Sequence, residues 1–80
     1  MPRYHFHTHD GRQHPDPEGL ELSGPGAVRL EAIKALGQLV EEMPDEFWRD
    51  GNFSMRVTDD SGLTLLLLDL TATVSPAWRQ

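Results

Sequence analysis

Eighty residues, 38% of them hydrophobic, with a formal charge of −6, bound this chain to one small domain with a limited core. There is no cysteine, so no disulfide staples it. The acidic balance lacks the basic footprint of a nucleic-acid binder and repels anionic lipid, and the longest apolar run, Leu65-Leu66-Leu67-Leu68, is strand-sized rather than membrane-spanning.

The chain opens on Tyr4-His5-Phe6-His7-Thr8-His9-Asp10, within a strand expected from Arg3 to Thr8. Alternate side chains of a strand point to opposite faces, so Tyr4, Phe6 and Thr8 share one side and His5, His7 and His9 the other. Asp10-Gly11 marks a tight turn, and the polar stretch 12–19, with its two prolines, reads as a loop or an irregular hairpin arm. Leu20-Glu21-Leu22, led in by Gly19, suits a short second strand.

Ser23-Gly24-Pro25 signals a helix start, with Ser23 or Gly24 as N-cap and Pro25 where its missing N–H costs nothing. At about 100° per residue, Val28, Ala32, Ala35, Leu36, Leu39, Val40 and Met43 form one apolar stripe. The helix should run from Pro25 to about Glu42, where Pro44 ends it or begins a short turn. Phe47 and Trp48 then plug the open end of the core.

Phe53, Met55 and Val57 alternate with polar residues as a half-buried strand. Asp59-Asp60-Ser61-Gly62 turns the chain into a last strand from Leu63 to about Thr71, apolar on both sides over its first half. The expected class is α+β, a small, mainly antiparallel sheet in β-β-α-β-β order with one amphipathic helix on one face. Residues 1–74 form the single domain and residues 75–80 a loose tail. One helix covers one face, so the side assigned to Leu63, Leu65 and Leu67 is left for the tail from Val74 to Trp78 or for another subunit.

Met1-Pro2-Arg3-Tyr4, Phe6-His7 and Asp10-Gly11, then Asp16, Gly19, Glu21-Leu22, Ala27, Arg29, Glu31, Ala32, Phe47-Trp48 and Met55 with Val57-Thr58-Asp59, resemble a family of short bacterial proteins of unknown function. That family opens Pro-Arg-Tyr-Phe-Phe-His, followed shortly by Asp-Gly. The resemblance covers nearly the whole chain and implies no activity. This chain departs from the pattern at His5, where Phe is usual, and at Ser23-Gly24, where Pro-Asp is usual. The His5, His7 and His9 triplet is therefore not a family device, and His7 is the histidine the resemblance carries.

Imidazoles roughly 6.6–7 Å apart along one strand face can share a divalent metal such as zinc, with Asp10 or His14 completing the set. The plainer reading gives them to water and to one structural hydrogen bond, with His7 poised for a pH-responsive contact. Arg29 falls inside the apolar stripe and calls for a carboxylate, so His7, Asp10, Asp16 and Arg29 are expected as a structural polar cluster. The acidic loop lacks the spacing of a calcium hand. No nucleophile elbow, phosphate loop or dinucleotide fingerprint is present, so no enzymatic activity and no cofactor are expected. With no leader pattern in the first residues, the expected setting is cytoplasmic. The function expected first is association, with a second copy or a protein partner, through Leu63, Leu65 and Leu67. The alternatives are a metal- or pH-responsive module on the histidines and an antitoxin-like or adaptor regulator.

Overall fold

Phe53, Met55 and Val57 are 0%, 1% and 0% exposed, and the sheet is built around the strand that carries them. The computed structural model describes residues 1–78. Its strands are β1 (Arg3–His9), β2 (Gln13–His14), β3 (Leu20–Glu21), β4 (Asn52–Asp59) and β5 (Thr64–Thr71), and its helices are α1 (Pro25–Glu42) and α2 (Pro44–Asp50). The α+β class and the antiparallel sheet are as expected. Two elements are additional: the two-residue β2 within the 12–19 arm, and α2, where one helix was expected.

The sheet runs β2-β1-β4-β5, with β3 also pairing to β1, and every pairing is antiparallel. β2 and β3 lie along the same outer edge of β1, at opposite ends: Thr8 faces His14, and Tyr4 faces Leu20. β5 is the other edge.

The α1 stripe packs as its periodicity dictates. Val28, Ala32 and Leu36 are buried, and Ala35, Leu39, Val40 and Met43 pack around them onto Phe53, Met55 and Val57. Gly24 is the N-cap and Pro25 takes the first turn. α2 starts on Pro44, with Asp45 and Glu46 in its first turn and Arg49 in its last, the polarity that suits a helix dipole. Gly51 ends it in the left-handed region at φ 73°. Phe47 is buried edge-to-face against Phe53, with ring centroids 5.3 Å apart. Trp48 does not plug the core as expected: it lies on the outer side of α2 and is 62% exposed.

Both helices cover the side of the sheet that carries Tyr4, Phe6, Phe53, Met55 and Val57. The opposite side carries His5, His7, His9, Ser54, Arg56 and Thr58. Val74 and Trp78 are 52% and 70% exposed, so the tail does not cover it. The tail makes a turn closed by the Trp78 N–H on the Ser75 carbonyl at 2.9 Å; residues 79–80 of the expected loose tail lie outside the described residues.

A register slip in the β4–β5 pairing corrects the expected apolar second face. Val57 faces Leu66 but Thr58 faces Thr64, so Leu65 is the extra residue of a bulge. Leu65 therefore lines a groove on the helix side with Tyr4, Pro25, Val28, Arg29 and Leu66. Leu67 stays on the open side, across from Arg56, and Leu63 falls in the hairpin turn before β5 begins. The three leucines do not share a face.

Candidate functional site

The two edges of this sheet are finished differently, and the difference follows from the alternation of antiparallel hydrogen bonds. The Ala72 N–H bonds the Gly51 carbonyl at 2.9 Å, in line with the β4–β5 register. Counting back by twos, Leu70, Leu68 and Leu66 point their backbone groups at β4, and Thr71, Asp69 and Leu67 point theirs outward. The same count through β4 turns the Phe6 N–H to the outer edge of β1, which is where it is found, bonded to Asp16 Oδ2 at 3.1 Å.

Asp16 closes that outer edge in the gap between β2 and β3. One carboxylate oxygen accepts the Phe6 N–H and the other accepts the Gly19 N–H at 3.1 Å. Its own N–H donates to His7 Nδ1 at 3.1 Å, and its carbonyl accepts from His5 Nδ1 at 2.8 Å. Burial pushes the carboxyl up. The Phe6 and Gly19 N–H groups, with the nearby His5 and His7, outweigh that and hold it below the usual Asp range. Gly19 sits at φ 70° directly against the Tyr4 carbonyl and the His5 ring.

Asp10 closes the next turn. It is 6% exposed, and one of its oxygens accepts from His14 Nε2 at 2.9 Å and from the Arg12 N–H at 3.3 Å. Burial raises its carboxyl, and those bonds outweigh it, leaving it below the ordinary value. Asp59 does the same for the β4–β5 turn, accepting from the Ser61 N–H and hydroxyl and from the Leu63 N–H.

His5 and His7 stack with ring centroids 6.1 Å apart, and their partners set opposite protonation states. His5 Nδ1 meets the Asp16 carbonyl and Nε2 meets Asp60 Oδ1, each at 2.8 Å. Both partners only accept, so both ring nitrogens donate, as in imidazolium. The Asp60 carboxylate first, and the Asp16 carbonyl second, raise the His5 pKa above 6.5. His7 accepts a backbone N–H at Nδ1, so that nitrogen carries no proton, and Nε2 donates to Thr58 Oγ1 at 3.0 Å. Burial first, then the charges of Arg56 and His5, lower the His7 pKa below 6.5, against the weaker opposing pull of Asp16.

The signs give a pH profile. His5, with its raised pKa, contributes stability that is complete below pH 6.5 and lost as pH rises through the raised value. His7, with its lowered pKa, contributes stability that is complete above 6.5 and lost as pH falls through the lowered value. Their joint contribution peaks near pH 6.5. Urea unfolding between about pH 5 and about pH 8 should show His5→Ala flattening the alkaline limb and His7→Ala the acidic one. An alkaline limb unchanged by His5→Ala contradicts this assignment.

The expected polar cluster of His7, Asp10, Asp16 and Arg29 does not come together as one group. His7 and Asp16 bond to each other, and Asp10 caps its own turn with His14. Arg29 is exposed on α1 beside Tyr4 and Leu65, with no hydrogen-bond or ion-pair partner among the described residues. Although its angular place is inside the stripe, the residue is exposed at the rim of the groove, where its charged end stays solvated and needs no carboxylate. The histidine triplet does not form a metal set either. Both nitrogens of His5 and of His7 are engaged, His9 stands exposed at the far end of β1, and no cluster of three or more His, Asp or Glu among the described residues is placed to hold an ion.

Asp60, Thr58 and Arg56 are not expected at the site from the sequence. Asp60 and Thr58 meet the histidines through strand register, which adjacent residues do not reveal. Arg56 follows from pattern alone, as the outward cation between buried Met55 and Val57, facing His7 on one side and Leu67 on the other.

Among the described residues, β5, the remaining edge, has no such closure. It is exposed at Leu65 (48%), Leu67 (66%) and Leu70 (38%), and its outward backbone row at Leu67, Asp69 and Thr71 carries no Lys, Arg or Pro. Those residues and bulged, charged edges are what ordinarily block strand pairing, and here one bulge and one Asp stand in their place.

No curated protein and no solved structure matches this chain. The model of one family matches residues 3–71, which span β1 through β5. The resemblance carried by the opening strand, the helix and the β4 residues is thereby confirmed, and the chain belongs to the family described as "Domain of unknown function (DUF6894)".

Proposed function

We propose that this protein is a small, non-enzymatic association module that works by strand pairing at β5. The observation that carries the reading is the contrast between the edges: one is plugged by Asp16, β2 and β3, and the other is a leucine-rich strand whose outward backbone row has no partner among the described residues. An extended chain added there gains main-chain hydrogen bonds, and alternate leucines grip its side chains. The interface residues of this reading are Leu65, Leu67 and Leu70 along the edge, instead of a flat sheet face.

Asp69→Pro is the test. It removes one outward N–H and leaves the bonds to β4 intact, a place where an edge strand accepts proline. Sedimentation velocity should show the native chain gaining mass with concentration while Asp69→Pro stays monomeric.

A second reading is favoured by the histidine pair. A protonated His5 ties the 10–19 arm to the β4–β5 turn through Asp60, so proton loss there loosens a link between two loops. That makes the module proton-responsive, and the pH profile above tests it.

A further inference from the structure

Building on the strand-pairing reading, we infer that the strand received by β5 is β5 of a second copy, in one register, with Leu68 on the two-fold axis. Two-fold strand pairs place residues whose numbers share a fixed sum opposite one another. With Leu68 on the axis, Leu66 meets the partner's Leu70 on the helix side. Leu67 meets the partner's Asp69 on the open side. The bonding groups of Leu67 and Asp69 both point outward, so that pair can exchange two backbone bonds, and Leu68 faces its own copy as a non-bonded pair.

The neighbouring registers are worse. Putting Leu67 on the axis sets Leu70 against the partner's Thr64, which the bulge has turned to the open side, so the leucine loses its apolar mate. Putting Asp69 on the axis opposes two carboxylates directly, which destabilises a strand pair. The chosen register also uses charge. Across the open side the order becomes His7, Arg56, Leu67 and then the partner's Asp69. Arg56 makes no ion pair within its own chain among the described residues, and its one side-chain bond is a long 3.5 Å contact to Thr64. Its own Asp69 is its diagonal neighbour across β4–β5, about 7–8 Å away, and the partner's Asp69 stands two strands, roughly 9.5 Å, away in line with it, so the pairing adds a second carboxylate within reach of the extended side chain.

The absence of cysteine makes the test clean. Opposed residues of a non-bonded antiparallel pair lie about 4.5 Å apart at Cα, within disulfide range. Under mild oxidation Leu68→Cys should convert to a disulfide dimer while Leu67→Cys, offset by two residues from its copy, stays monomeric. Cross-linking of Leu67→Cys at an equal or higher rate overturns the register and leaves edge pairing standing. No cross-link in either variant overturns a second copy as the occupant. A charge exchange keeps the test open should Leu68→Cys fold poorly. Arg56→Glu should weaken dimerisation at least about tenfold, and adding Asp69→Lys should restore it; a double variant no better than the single one overturns the register.

Discussion

Asp16→Ala should destabilise the domain by about 2–4 kcal/mol. The substitution leaves the Phe6 and Gly19 N–H groups without their charged acceptor, on a stretch of β1 that has no neighbouring strand. Water can reach part of this edge, which keeps the loss below that of a fully buried pair. Asp16→Asn retains one acceptor oxygen but turns an NH2 towards the other N–H, so it should lose about half as much. Urea unfolding of the three proteins measures the series. Equal stability of Asp16→Ala and the native chain would show that the arm does not hold the edge.

Gly19→Ala should cost a comparable amount, about 3 kcal/mol. The left-handed backbone at φ 70° costs an L-residue roughly 1–2 kcal/mol. The added Cβ would also stand 2.7 Å from the Tyr4 carbonyl and 2.9 Å from the His5 ring, so backbone must move. Gly62→Ala separates the two causes, because at φ 88° an added Cβ there would meet none of the described residues beyond its chain neighbours within 4 Å. It should lose only the conformational share, roughly 1–2 kcal/mol. Thermal or urea melts of both variants read the difference. Equal losses would mean that the contact with Tyr4 and His5 carries no weight.

Much of the fold was legible because it rests on local periodicity. The α1 stripe is a 3.6-residue repeat and the β4 core a two-residue repeat, and each depends only on neighbours in sequence. The split of β1 into an aromatic face and a histidine face followed from the same rule. The features that were not legible depend on register. The bulge at Leu65 moves one leucine to the helix side, and no property of Leu63-Thr64-Leu65-Leu66 announces which strand residue will face it. The partner of His5 is Asp60, fifty-five positions away, and only the β1–β4 pairing brings them together. Asp16 is legible as a structural residue, but its expected partner, Arg29, is exposed on α1 and does not meet it. Its true partners are backbone N–H groups, which every sequence has and no sequence marks.

The central claim is that the fold closes one sheet edge and leaves the other for association. Its most direct test is sedimentation velocity on the native chain and on Asp69→Pro, over a concentration series reaching several hundred micromolar. The native sedimentation coefficient should climb from monomer to dimer, and the Asp69→Pro value should stay at monomer with an unchanged melting temperature. A native chain that remains monomeric throughout, or an Asp69→Pro variant that associates equally well, contradicts the claim.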